Sequence, residues 1–158
     1  MSGGAPRREL PDGSGLRVGL VVGQWHHEVV AGLLAGARAA LVDCRVDPPA
    51  VVEVPGAFEL PVVVQALARD GHDAVVALGA VIRGGTPHFD YIARAVTDGL
   101  SRVGIETGTP VGFGVLTCDT LEQAIDRAGL PGSAEDKGRE AVTAAVETAL
   151  VLRRLRRP

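Results

Sequence analysis

The segment "IRGGTPHFDY", residues 82–91, sets two glycines and a Thr-Pro pair directly ahead of a histidine. Phe89, Ile92, Ala93, Val96, Leu100 and Val103 follow at helical spacing, which puts His88 in the first turn of a predicted helix. A charged imidazole there would oppose the helix dipole, so the position favours the uncharged ring, a usable base near neutral pH. The start of a helix also presents backbone N–H groups that lack intrahelical partners, and a glycine-rich turn leaves them accessible. Oxyanions and phosphates bind at such places. Together these features point to proton transfer on an anionic small molecule, an oxyanion or a phosphate ester.

The elements that position this segment repeat regularly. Continuous apolar runs at 16–23, 49–56, 73–82 and 110–117 read as buried strands, without the alternation of a half-exposed sheet. Helical spacing recurs from His27 to about Val42, along "ELPVVVQALARDG", and after His88. Asp119 with Glu122 three residues on predicts a capped short helix ending at Gly129, and Ser133 is expected to cap a last helix running into "RRLRRP". The order β-α-β-α-β-α-β-α-α predicts a flavodoxin-like, three-layer α/β/α sandwich on a four-stranded parallel sheet. Residues 1–15, rich in Gly, Pro and Ser, read as a mobile N-terminal arm, and residues 16–158 as a single domain.

In such a sheet, ligands bind beyond the carboxyl ends of the strands. Trp25 follows the first strand, Ala57, Phe58 and Glu59 the second, the Gly84–His88 turn the third, and Thr117–Asp119 the fourth. Each has a plainer reading: a tryptophan covering the core edge, a glutamate on a helix dipole, a glycine turn. Their convergence on one rim favours a site. Arg127, at the far end of the short helix, and Phe113, early in the fourth strand, are expected at the opposite pole from His88. Structurally they read as a cation on a helix C-terminus and a core residue. If functional, they must serve a neighbouring subunit.

Composition narrows the function. In 158 residues, 16 basic side chains face 19 acidic ones, a net charge of −3, which gives no electrostatic case for nucleic acid or an anionic membrane. The basic end "RRLRR" reads as a solvated helix terminus, with a nucleic-acid tail as the weaker rival. No apolar run is long enough to span a bilayer, and Arg7 and Arg8 are followed by no apolar stretch, so neither a membrane span nor a signal peptide is expected. Cys44 and Cys118 lack metal-ligand spacing and read as reduced core residues of a cytoplasmic protein.

"VPGAFELP", "ALGAVIRGGTPHFDYI", "GVLTCDTLEQAIDRAG" and "AEDKGREA" closely resemble the lumazine synthase family, in order, from about Leu16 to the last helix. The resemblance implies condensation of 5-amino-6-(D-ribitylamino)uracil with 3,4-dihydroxy-2-butanone 4-phosphate. The products are 6,7-dimethyl-8-ribityllumazine, phosphate and water, and no metal or organic cofactor is needed. It implies that Trp25 stacks on the pyrimidine, that Ala57, Phe58 and Glu59 hold the ribityl chain, and that Ala80, Val81 and Ile82 read the uracil edge. Phe113 would contact the pyrimidine, Gly85, Thr86 and Arg127 the phosphate, and His88 would be the general acid/base. Lys137 would lie near the site. Gly85 departs from the family in lacking a side chain, and Trp25 is larger than the usual phenylalanine. The resemblance further implies a homo-oligomer with sites between subunits, a pentamer rather than a closed shell, whose N-terminal arm pairs with a neighbour's sheet. Riboflavin synthase is its candidate partner. A non-catalytic flavin or lumazine carrier, or a shell protein of the same fold, is the alternative.

Overall fold

Six consecutive buried residues, Val18–Gly23, form β1, which has no solvent face because both its sides are covered. In this computed structural model, which describes residues 9–157, β1 lies between β2 (Ala50–Val54) and β3 (Ala74–Ile82), and β4 (Val111–Cys118) adds at the far side of β3. The order is β2-β1-β3-β4, with every pairing parallel. Helices α1 (His27–Asp43), α2 (Leu60–Arg69), α3 (His88–Thr107), α4 (Leu121–Ile125) and α5 (Lys137–Leu155) connect and cover the sheet, with a 3-10 turn at Ala57–Glu59 before α2. This is the expected flavodoxin-like three-layer sandwich. No helix among the described residues is long and apolar enough to cross a membrane.

Alternate residues of the strands feed two separate cores. Leu20, Val22, Val76 and Leu78 pack with Leu33 and Ala37 of α1, Ala124 of α4 and Val142 of α5. Val21, Val75, Ala77 and Val115 pack with Val64 of α2 and Val96 and Leu100 of α3. Thus α1, α4 and α5 cover one face and α2 and α3 the other. At about 25 cal/mol per Å² of apolar surface buried, these two cores are the main favourable term of folding.

The predicted caps are off by a residue or more. The short helix is capped by Thr120, whose Oγ1 accepts from Gln123 N at 3.2 Å, while Gln123 Oε1 accepts from Asp119 N at 2.8 Å. The reciprocal pair is therefore Thr120 with Gln123 rather than Asp119 with Glu122. Asp119 is free to serve elsewhere. The helix stops at Ile125, well before Gly129. Asp136, not Ser133, caps α5, accepting from Arg139 N at 2.9 Å. Ser133 Oγ instead accepts from Leu130 N and donates to Ile125 O, and Glu135 N donates to Asp126 O at 3.0 Å. The link to α5 is thus pinned, with Pro131 and Gly132 exposed.

Residues 1–8 of the expected arm lie outside the described residues. Its later part is tied to the domain, for Gly13 N donates to Cys44 O at 2.7 Å.

Close approach of α1 and α5 rests on glycine. A side chain at Gly138 would run into the Leu33 carbonyl oxygen, and one at Gly36 into the Asp136 carboxylate that caps α5. Gly138→Ala should therefore destabilise the protein. Alanine gains roughly 0.5–1 kcal/mol in helix propensity, but overpacking against fixed backbone costs roughly 1–3 kcal/mol. Thermal melting should show a fall in Tm of a few degrees; an unchanged or raised Tm would mean that the two helices are not in tight contact.

Candidate active site

Parallel strands deliver their carboxyl ends to one rim, and the chain turns there four times. After β1, Gln24 N donates to Val54 O at 3.1 Å, which ties the β1 exit to the end of β2. Trp25 then projects from the rim, 70% exposed, and His26 adopts left-handed backbone (φ 57°, ψ 59°) before α1 begins. Histidine is among the residues that tolerate this conformation better than most. After β2, Gly56 passes beneath the tryptophan: a Cβ there would lie 3.0 Å from Trp25 Cδ1 and 3.3 Å from Glu59 Oε2. A side chain there would press on both the indole and the carboxylate. The 3-10 turn is closed by Glu59 N donating to Gly56 O at 3.2 Å.

The turn after β3 is shaped differently. Nothing lies within 4 Å of where a Cβ would stand at Gly84 or Gly85. Thr86 Oγ1 accepts a long hydrogen bond, 3.4 Å, from His88 N at the start of α3. Arg83 N donates to Cys118 O at 2.9 Å, holding the base of the turn to the end of β4.

Between these turns lies a cavity of about 550 Å³. It occupies the switch point between β1 and β3, where open α/β sheets place their ligands. Of the residues singled out in the sequence, Trp25, Ala57, Phe58, Glu59, Ala80, Val81, Ile82, Thr86 and His88 line it. Gly85 lies in the same turn, but Gly84 takes the lining position. An aromatic platform, a carboxylate, apolar strand ends and an imidazole beside a helix start can hold a flat polar ring, a hydroxylated chain and an anion, and can move protons between them. Among the described residues no cluster of His, Cys, Asp or Glu is placed to hold a metal ion.

Phe113, Arg127 and Lys137 do not line this cavity. Phe113, 44% exposed, stands on the edge strand β4 opposite Ala77, and with Lys137 and Glu140 it lines a separate groove of about 340 Å³ against α5. Lys137 Nζ lies 3.2 Å from Glu135 and 2.9 Å from Glu140, and Arg127 Nε lies 3.9 Å from the same Glu135 oxygen. The hydrogen bond that Lys137 donates to Glu140 raises the pKa of its ammonium, with Glu135 helping against partial burial. The three residues therefore form a second patch.

The expected place of Arg127 needs correction. It is not in the last turn of a helix, because α4 ends two residues earlier. Its Nη1 donates to Gln123 O at 2.8 Å, and its charge partly offsets the upward push of burial on the Cys118 thiol at the carboxyl end of β4. It belongs to the layer of α4 and α5, whereas His88 starts α3 on the other face.

A family model described as 6,7-dimethyl-8-ribityllumazine synthase matches residues 15–153. The chain belongs to this family. Among curated relatives, the 6,7-dimethyl-8-ribityllumazine synthase of Streptomyces coelicolor is 59% identical, covering 100% of this chain and 99% of the relative. That of Kineococcus radiotolerans is 62% identical over 97% and 95% of the two chains, and that of Mycobacterium leprae 60% over 99% and 98%.

Within this lumazine synthase family member, the structure adds His26, Gly56, Phe89 and Ile92 to the cavity wall. Phe89 and Ile92 had signalled only helical periodicity, which cannot tell a core face from a cavity wall. His26 had a signal that was passed over, a polar ring between Trp25 and the start of α1.

Proposed function

We propose that the protein forms 6,7-dimethyl-8-ribityllumazine from 5-amino-6-(D-ribitylamino)uracil and 3,4-dihydroxy-2-butanone 4-phosphate, the penultimate reaction of riboflavin biosynthesis. The observation that carries the reading is the convergence of Trp25, Glu59, Thr86 and His88 on one cavity, in a chain matched to the family from residue 15 to 153. No observation favours the alternative of a non-catalytic carrier.

In this reading Trp25 stacks on the pyrimidine while the ends of β3 at Ala80–Ile82 meet its polar edge and Ala57–Glu59 hold the ribityl chain. The pyrimidine amine attacks the ketone, and water leaves to form an imine. Phosphate is eliminated, the enol tautomerises, and ring closure releases a second water. Each step moves a proton, and His88 is the group placed to accept and return it. The Gly84–Thr86 turn at the start of α3 holds the phosphate. The amine is already a competent nucleophile, so much of the acceleration comes from holding two substrates together.

Arg127, Phe113 and Lys137 contribute from a second copy of the chain. Their grouping in one patch, away from the cavity of their own chain, supports this. A guanidinium offers phosphate a forked contact that completes the turn's backbone donors. The N-terminal arm adds to a neighbour's sheet, for which β2 is an edge strand among the described residues. The assembly is a cytoplasmic homopentamer. A pinned protrusion at Pro131–Gly132, just ahead of α5, keeps pentamers from closing into a shell, since closure requires every contact to meet at one angle. Riboflavin synthase, which would use the product, is the candidate partner.

Mixing the purified protein with both substrates should give the fluorescent lumazine, and His88→Ala should slow its formation by roughly 10²–10⁴-fold, the range of a general acid/base. A parent without product would refute the reaction; His88→Ala at parental turnover would refute the role of the imidazole. Sedimentation should show a species near five chains, and a dominant closed particle at ordinary salt and pH would count against the pentamer.

A further inference from the structure

Residues 84–88 of the phosphate-binding turn are all exposed, and this raises the question of what orders them. A Cβ at Gly84 or Gly85 would meet nothing within 4 Å, and the Thr86–His88 hydrogen bond is long. The residue before the turn contacts residues beyond both of its ends. Arg83 Nε donates to Asp119 Oδ1 at 2.8 Å, its Nη1 approaches both Asp90 carboxylate oxygens at 3.4 Å, and its guanidinium lies 4.4 Å from the centre of the Phe89 ring. Its backbone N–H is bonded to Cys118. Asp119 directly follows β4, while Phe89 and Asp90 lie in the first turn of α3. Arg83 itself does not line the cavity, although Phe89 does.

We propose that Arg83 is a positioning residue for the phosphate-binding turn. It staples the end of β4 to the start of α3, so that the glycine turn between Arg83 and His88 is fixed at both ends. The inference rests on the functional reading above. Its physical reason is entropic: two glycines lose more conformational freedom on ordering than any other pair, and a flexible turn binds phosphate weakly unless its ends are already held. Charge-assisted hydrogen bonds to two carboxylates, with the ring as a platform, hold them. The guanidinium is engaged with protein carboxylates and so is a brace, not a ligand.

The test is steady-state kinetics of the full-length parent, Arg83→Ala, Arg83→Lys, Asp119→Asn and Arg83→Ala/Gly85→Ala, with KM measured separately for each substrate. Arg83→Ala should raise KM for the butanone phosphate roughly tenfold, the scale of a lost charge-assisted hydrogen bond, and leave the pyrimidine KM within about twofold. Arg83→Lys, keeping the charge without the fork, should fall between Arg83→Ala and the parent. Adding Gly85→Ala to Arg83→Ala should recover part of the loss. The Gly85 backbone is not left-handed and its Cβ would meet nothing, so alanine only removes freedom.

Asp119→Asn separates brace from ligand. It should raise the butanone phosphate KM; a lowered KM would mean that a freed guanidinium binds phosphate directly, and would overturn the proposal. Unchanged KM in Arg83→Ala, or equal losses for both substrates, would also overturn it. A parent that forms no lumazine would instead overturn the functional reading, and the proposal with it.

Discussion

Parallel pairing is the constraint on which the molecule depends. Four strands that run the same way must all leave the sheet at one edge, so every loop following a strand reaches the same rim. The order β2-β1-β3-β4 then splits the crossings between two faces at β1 and β3, which opens a crevice there. Trp25, Gly56–Glu59 and Gly84–His88 are distant in sequence and unlike in chemistry. They share a cavity because each follows a strand of this sheet.

The same topology limits what one chain can do. The edge strand β4 leads into α4 and α5 on the face opposite α3, so the residues it brings together collect beyond the sheet edge. Phe113, Lys137 and Arg127 form a patch laced by Glu135 and Glu140, with Lys137 kept as a cation by those carboxylates. Neither patch alone holds an aromatic platform, a base and a free fork for phosphate. In the proposed reading, association of identical chains would satisfy the chemistry without adding a residue.

Much of this was legible in the sequence. Unbroken apolar strands announced a sheet covered on both sides, and the turns after them placed the rim. Asp119 and Ser133 were misassigned because a short polar side chain can cap a helix, close a turn or bind a distant cation. Local spacing does not choose among these; Arg83 chose for Asp119, and Ile125 O with Leu130 N for Ser133. The helix before Arg127 is shorter than its spacing predicts, because the chain leaves the helix at Ile125. Arg83 was overlooked since an arginine beside a glycine turn reads as solvated until its carboxylates, 7 and 36 residues away in sequence, are seen.

The central claim is that one site draws on two chains. Subunit exchange between His88→Ala and Arg127→Ala proteins tests it most directly. Each variant alone should be nearly inactive, because every site lacks either its base or its phosphate fork. In mixed assemblies some interfaces pair an intact His88 from one chain with an intact Arg127 from the next. Random assortment of equal amounts predicts recovery of roughly a quarter of the parental activity. No recovery after confirmed exchange would contradict the shared site and return Arg127 to a structural role beside Glu135.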